Sequence, residues 1–268
     1  MVTAMVPLDI VEASPEKNLE AVKEYCRHIR EGVAVMVLPE LFSTGFIKDE
    51  ATFQLLAEPL DGETMKCLQD ISSKKSIAIA GSFLCRDEED GTLRNRSFFI
   101  NPDDDCRISY YDKRHLFTLS PEYRLFKGGE RQSPIIWYRD WNIALSVCFD
   151  LRFPVWNRNT DNRYDMMIVP ANWPDSRFLA WKHLLMARAI ENMAVYVGAN
   201  RSGSDQYGTY SYLSTIAVNE RGTIVSEFHG NTPIRYATFN LKELRDFREK
   251  FPVYKLADKF SFDSEKLQ

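Results

Sequence analysis

The chain has 268 residues, enough for one large domain or two small ones at about 150 residues per domain. It is 44% hydrophobic and 13% aromatic, which excludes intrinsic disorder, and 34 basic against 38 acidic side chains leave a net charge of −4. With both signs interspersed, that balance offers no electrostatic footprint for nucleic acid or an anionic membrane.

The longest uncharged apolar run near the middle, Ile77 to Cys85, is far too short to span a bilayer. The N-terminus has no basic stretch ahead of a long apolar segment, so no signal peptide is expected. The five cysteines, at 26, 67, 85, 106 and 148, are odd in number and contain no C-x-x-C pair. This argues against a disulfide framework or a structural zinc site and for a reducing cytoplasmic setting.

The first elements read as strand, helix, strand. Ala4 to Asp9 opens as a strand, in which Pro7 removes a ladder donor and is expected at an edge or a bulge. Ser14-Pro15 starts a helix with Ser as cap and Pro in the first turn. Leu19, Val22, Cys26 and Ile29 give that helix one apolar face, and Gly32 stands where a capping glycine belongs. Val33 to Leu38 is a short, β-branched apolar run, as a strand buried on both faces should be.

Further runs predict strands at Ile77–Phe83, Ser97–Ile100, Ile108–Tyr111, Ile143–Val147, Met166–Val169, Val195–Ala199, Leu213–Val218 and Ile224–Phe228. Helices are expected over Thr64–Lys74 and Arg177–Met193, with hairpin-like turns near Asp87–Leu93 and Asn219–Gly222. Gly91, Gly128-Gly129, Gly203 and Gly222 punctuate the connections. No linker, repeat or low-complexity tract interrupts the chain, so a single α/β domain over 1–268 is expected. From about 241 on, Leu241, Leu244, Phe247 and Phe251 have helical spacing, and an aromatic tail follows with Tyr254, Phe260 and Phe262.

Three polar residues each follow a predicted buried strand: Glu40, Lys113 and Cys148. In an open α/β sheet, such positions gather at the carboxyl ends of neighbouring parallel strands. A thiol, a carboxylate and an ammonium together suffice for acyl transfer: a nucleophile, a proton shuttle and an oxyanion partner. Spacing alone leaves blander roles open. Cys148 can be a small buried hydrophobe, Glu40 a carboxylate at a helix start, and Lys113 one half of a surface ion pair.

The local sequences narrow this. Leu38-Pro-Glu-Leu-Phe42, Tyr111-Asp-Lys-Arg-His-Leu-Phe117 and Ser146-Val-Cys-Phe-Asp-Leu-Arg-Phe-Pro154 resemble, in order and separation, the catalytic blocks of the nitrilase superfamily of carbon–nitrogen hydrolases. Pro170-Ala-Asn-Trp-Pro174 and Ala187-Arg-Ala-Ile-Glu-Asn192 extend the resemblance, which runs from about residue 3 to about residue 262. Within the superfamily the combination looks most like bacterial omega-amidases, the 2-oxoglutaramate amidases. The resemblance implies a four-layer α-β-β-α sandwich, commonly paired into a dimer.

Carried over residue by residue, the resemblance makes Cys148 the nucleophile, Glu40 the general base and Lys113 the oxyanion stabiliser. Glu122, in Ser120-Pro-Glu-Tyr123, matches a second family glutamate. Arg152 matches an arginine that holds a substrate carboxylate; its alternative is a structural salt bridge with a residue such as Asp150. Phe149 (through its backbone N–H), Trp173 and Phe117 are expected around the substrate. Leu213-Ser-Thr215 departs from the family's usual Gly-x-Ser.

The expected reaction is hydrolysis of the terminal amide of a short ω-amido 2-oxo acid through a Cys148 thioester. N-carbamoyl amino acids and deaminated glutathione are alternative substrates, and a non-catalytic binding protein on the same fold is the alternative outside the enzymes. None of the four histidines stands where a papain-like pair needs it, and His115 is expected to be structural. Phosphate-loop, metal-ligand and dinucleotide motifs are missing from the sequence, so no cofactor or metal is expected. A homodimer is expected from Leu179, Leu184, Leu185, Ile190, Met193 and Trp181 on one helix, which carry more apolar surface than one sheet face needs, together with the aromatic tail.

Overall fold

The computed structural model describes residues 1–262. In chain order the first half contains β1 (Val2–Met5), α1 (Pro15–His28), β2 (Val35–Val37), α2 (Glu50–Leu56), α3 (Glu63–Lys75), β3 (Ala78–Arg86), β4 (Leu93–Asn101), β5 (Arg107–Asp112) and α4 (Glu122–Leu125). The second half contains β6 (Ile136–Tyr138), β7 (Trp141–Leu145), β8 (Met166–Ala171), α5 (Phe178–Asn192), β9 (Val195–Asn200), β10 (Gly203–Asp205), β11 (Gly208–Tyr210), β12 (Ile216–Val218), β13 (Glu227–Phe228), β14 (Arg235–Thr238) and α6 (Leu241–Lys250).

Alternation along the strands explains the layering. In β2, Val35 and Val37 face one apolar cluster while Met36 faces another, and Ala78 and Ala80 alternate with Ile79 in the same way in β3. A strand with two buried faces must lie between two layers. One face meets Val22 and Cys26 of α1 and Met65 and Leu68 of α3. The other meets a second sheet through Ile143, Leu145, Met166 and Ile168. The first sheet has seven strands in the order β13-β14-β1-β2-β3-β4-β5, and the second has five in the order β12-β9-β8-β7-β6. β1–β2–β3 and β7–β8–β9 are the parallel runs; the remaining pairings are antiparallel. Helix α5 covers the outer face of the second sheet with Trp181, Leu185 and Ala189. The expected four-layer α-β-β-α sandwich is the architecture found.

Several expectations need correction. β1 stops at Met5, so Pro7 lies beyond the strand, and β1 is interior, between β14 and β2. α1 ends at His28 with an extended Ile29, so Gly32 does not cap it; with φ of +80° it makes the turn that leads to β2. Ser14 makes no side-chain cap bond. Instead Asn18, buried on the helix, bonds Val11 and the carbonyl of Ser43. Residues Tyr212–Ser214 form a 3₁₀ turn, which leaves only Ile216–Val218 of the expected strand. Of the stretch expected from Ile224, Glu227–Phe228 pairs with β14, and Ile224 makes an isolated antiparallel bridge to Val218.

Trp181 was expected to add to an outward apolar excess but is wholly buried. Gly198 on β9 makes the space: a Cβ there would come within 2.7 Å of the Trp181 ring and of Leu185. Leu185 and Met193 are buried as well, whereas Leu179 and Ile190 stand exposed. In the tail, Phe262 packs edge-on against Trp156, and residues 263–268 of the expected tail lie outside the described residues. Among the described residues no helix is long and apolar enough to cross a membrane.

Candidate active site

Glu40, Lys113 and Cys148 do lie together, but not at the ends of neighbouring strands in one sheet. Glu40 follows β2 and Lys113 follows β5, with two strands between them in the first sheet, while Cys148 follows β7 in the second. The cavity therefore opens at the junction between the sheets. It measures about 370 Å³ and is lined by Glu40, Lys113, Cys148 and, among others, Phe117, Phe149, Arg152 and Trp173.

The charged centre is built around the Lys113 ammonium. Its Nζ donates to Glu40 Oε1 at 2.8 Å and to both oxygens of Glu122, at 3.0 and 2.8 Å. Lys113, Glu40 and Glu122 are essentially inaccessible to water. Removing one ammonium and two carboxylates from solvent is tolerable only with dense pairing, and further donors supply it. The backbone N–H of Asn172 reaches Glu40 Oε2 at 2.9 Å, and that of Phe117 reaches Glu122 Oε2 at 2.9 Å. Asn95 Nδ2 bridges the two carboxylates at 2.9 and 2.8 Å, and its own oxygen accepts from Ser82 Oγ at 2.8 Å.

Gly128 and Gly129 allow the chain to close over this centre. A Cβ at Gly129 would lie 2.2 Å from the carbonyl oxygen of Asp112, and the Gly129 N–H bonds the Lys113 carbonyl at 2.9 Å.

Cys148 opens a 3₁₀ turn, Cys148–Arg152, and has φ of +40°, a sparsely populated conformation for a residue with a Cβ. Asp150 holds the turn. It accepts from the N–H of Val147 at 3.2 Å, from Tyr111 Oη at 2.8 Å, from the His115 N–H at 2.9 Å and contacts His115 Nδ1 at 2.8 Å. Tyr111 and His115 flank Lys113 by two residues on either side, so this network ties the lysine segment directly to the cysteine turn. His115, stacked on Phe153 with ring centroids 3.6 Å apart, has the structural place expected of it.

Burial pushes the Cys148 thiol well above the ordinary cysteine range; the facing Glu40 charge pushes the same way and Lys113 opposes it. Burial lowers the Lys113 ammonium, but Glu122 and Glu40 outweigh it and the net shift is upward. Glu122 is raised by burial first and by Glu40, against the pull of Lys113. At rest the site thus holds a neutral thiol beside a charged Lys113 ammonium.

Arg152 does not pair with Asp150. Its guanidinium stands 4.9 Å from the Trp173 ring centre and 5.9 Å from that of Phe149, at the cavity mouth. Trp173 is fixed through Asn200, whose carboxamide accepts from the Trp173 N–H and donates to its carbonyl, both at 2.7 Å. Ser214 and Thr215, in the stretch that departs from the family's Gly-x-Ser, bond Asn200 in turn. Sequence reasoning missed Asn95, Tyr111 and Asp150, and also Tyr207 and Tyr210 in the wall. Among the described residues, no group of three or more His, Cys, Asp or Glu side chains is arranged to hold a metal ion.

Residues 2–249 match the family described as carbon-nitrogen hydrolase. The chain belongs to that family. It is 37% identical to the omega-amidase YafV of Escherichia coli strain K12 over 230 residues, 85% of this chain and 86% of that protein. Over 251 residues it is 29% identical to the 2-oxoglutaramate amidase of Bacillus subtilis, covering 92% of this chain and 93% of that one. Its fold superposes on a carbon–nitrogen hydrolase superfamily protein of Xanthomonas campestris with a TM-score of 0.88 and 28% identity, covering 98% and 99% of the two chains. Nit3 of Saccharomyces cerevisiae, a member of branch 10 of the nitrilase superfamily, shares the fold at a TM-score of 0.81 and 23% identity, covering 94% of each chain. This carbon–nitrogen hydrolase is thus an enzyme, a hydrolase acting on amides.

Proposed function

We propose that this carbon–nitrogen hydrolase is a thiol amidase that removes ammonia from the terminal amide of a short ω-amido 2-oxo acid, 2-oxoglutaramate or 2-oxosuccinamate. The observation that carries the reading is the Lys113 ammonium between two buried carboxylates, beside the Cys148 thiol. Relatives named omega-amidase and 2-oxoglutaramate amidase support it.

In this reading Glu40 accepts the thiol proton as Cys148 Sγ attacks the amide carbon. Lys113 and the backbone N–H of Phe149 stabilise the resulting oxyanion. Glu40 then passes the proton to the departing nitrogen, ammonia leaves, and an acyl thioester remains. A water molecule deprotonated by Glu40 attacks the thioester, releasing the dicarboxylic acid and restoring the thiol. Glu122 keeps Lys113 charged and aimed. Arg152 pairs with the remote carboxylate, with Trp173 and Phe117 as walls.

The test is ammonia release from 2-oxoglutaramate, 2-oxosuccinamate, glutamine, N-carbamoyl amino acids, deaminated glutathione and simple nitriles. The 2-oxo acid amides are expected to have the highest kcat/KM; a higher value for a carbamoyl amino acid or deaminated glutathione would replace the reading, and no turnover of any would favour a binding protein. Followed against pH, kcat/KM on the best substrate should fall on the acid side. Glu122 acts ionised in this reading and is raised by burial, so the loss should come as pH drops through an apparent pKa above the usual glutamate value of about 4.3. A profile flat down to pH 4 would contradict it.

All five cysteines are free, as a reducing setting would keep them, so we assign the enzyme to the cytoplasm. We also assign it a homodimer, since Leu179 and Ile190 on α5, 65% and 54% exposed, leave an apolar outer face on that helix. A single-chain mass in light scattering would remove that assignment.

A further inference from the structure

Beyond the charged centre, the cavity wall is mainly apolar: Phe46, Phe117, Leu119, Phe149, Trp173 and Pro174. Two cations interrupt it at the mouth, Arg152 and Arg177, and both are exposed. Neither has an ion pair or a side-chain hydrogen bond among the described residues. Other arginines differ. Arg94, Arg96, Arg188, Arg201 and Arg248 each meet a carboxylate.

The two unpaired groups are held by aromatic faces instead. Arg177 stands 5.4 Å from the Phe117 ring centre, Phe117 meets Phe149 edge-on at 5.3 Å, and Arg152 stands between Phe149 and Trp173. The carbonyl of Arg177 accepts from Trp173 Nε1 at 2.9 Å, which fixes the arginine's backbone to the same wall. Stacking on a ring engages the face of a guanidinium and leaves its N–H edge available to a ligand. The mouth is therefore a collar of aromatic rings carrying two unneutralised positive charges.

We propose that Arg177 is a second specificity-determining cation for the remote end of the substrate. Together with Arg152 it selects amides whose far end carries net negative charge and disfavours zwitterionic ones. This rests on, and deepens, the amidase reading above. One guanidinium suffices to anchor a carboxylate. A second, with no carboxylate within ion-pair distance among the described residues, adds attraction for an anion and repulsion for an ammonium at the same place. A 2-oxo acid amide and glutamine share the scissile group and the carboxylate, and differ in that only glutamine brings an ammonium. The second arginine penalises that difference.

The experiment compares wild type, Arg177→Ala, Arg152→Ala and the double variant on four amides. These are 2-oxoglutaramate and glutaramate (anionic far end), glutamine (zwitterionic) and butyramide (uncharged). Arg177→Ala should raise KM for both anionic amides about tenfold or more, with kcat far less affected and with a much smaller change on butyramide. The preference for 2-oxoglutaramate over glutamine should narrow, and added salt, which weakens the wild type on anionic amides, should matter less in the variant. Equal losses on charged and uncharged amides, or no loss on either, would overturn the assignment of Arg177. A wild type that prefers butyramide to every anionic amide would overturn it too. A wild type that prefers glutaramate to 2-oxoglutaramate would instead remove the 2-oxo acid reading and leave the test of Arg177 intact.

Discussion

Replacing Cys148 by alanine is expected to lower kcat by about 10⁴-fold or more while the protein stays folded. The substitution removes only Sγ from a side chain that is 8% exposed, and alanine tolerates the φ of +40° no worse than cysteine does. The other four cysteines are not equivalent. Burial raises the Cys26 thiol to about 11 and the Cys85 thiol to about 12, as it raises Cys148, but unlike Cys148 none of the four lines the cavity or faces Lys113 and Glu40. Mass spectrometry of the wild type mixed with substrate should find an acyl adduct on the peptide bearing Cys148 and on none of these. Activity near wild type in Cys148→Ala would end the covalent mechanism, whatever the fate of the substrate assignment.

The second large effect is expected at Lys113. Lys113→Met should cost about 3–5 kcal/mol of stability, because it leaves Glu40 and Glu122 buried with no cation between them. Activity should fall by at least about 10²-fold from loss of the oxyanion partner alone. Stability and chemistry separate in a double variant. Adding Glu122→Gln removes one of the stranded charges, so chemical denaturation should show part of the stability returning, while kcat stays low. If Lys113→Met is as stable as the wild type, the ammonium is not what compensates the two carboxylates.

How much of this was legible beforehand follows from the chemistry of individual strands. Apolar runs such as Val33–Leu38 and Met166–Val169 declared themselves because both of their faces are buried, and burial on both faces requires continuous hydrophobicity. β4 did not. Only its Ser97–Ile100 half was read, because the other half carries Arg94, Asn95 and Arg96. Those side chains are nevertheless 8%, 1% and 3% exposed. Asn95 is buried to hold the two carboxylates, and Arg96 is buried in ion pairs with Asp87 and Asp112. A strand that spends its interior positions on polar partners looks like a loop to any reading based on hydrophobic periodicity.

Asp150 illustrates the same limit. In sequence it stands two residues from Arg152, its supposed partner. In space it turns the other way, to Tyr111 and His115, which the chain supplies some 35 to 39 positions earlier. Local spacing carries no record of such a partner. The motif blocks located Glu40, Lys113 and Cys148, while the residues that hold them had to be seen in three dimensions. Glu122 is intermediate: its candidacy came from the loop after Lys113, and a short helix, α4, brings its carboxylate onto the lysine.

The division of the cavity between two sheets has a consequence for how the protein passes through its folding. The thiol is contributed by one half of the chain, and the carboxylates and ammonium that would activate it by the other. Neither half contains a reactive centre by itself. During synthesis β1 to β5 can pair with the lysine already neutralised and no nucleophile nearby, and the cysteine emerges later, ahead of the two strands, β13 and β14, that complete the first sheet. Reactivity then appears in a single step, when the sheets dock. Heating should reverse this in the same order, with hydrolysis lost at the first parting of the layers, ahead of the melting of strands and helices that spectroscopy records.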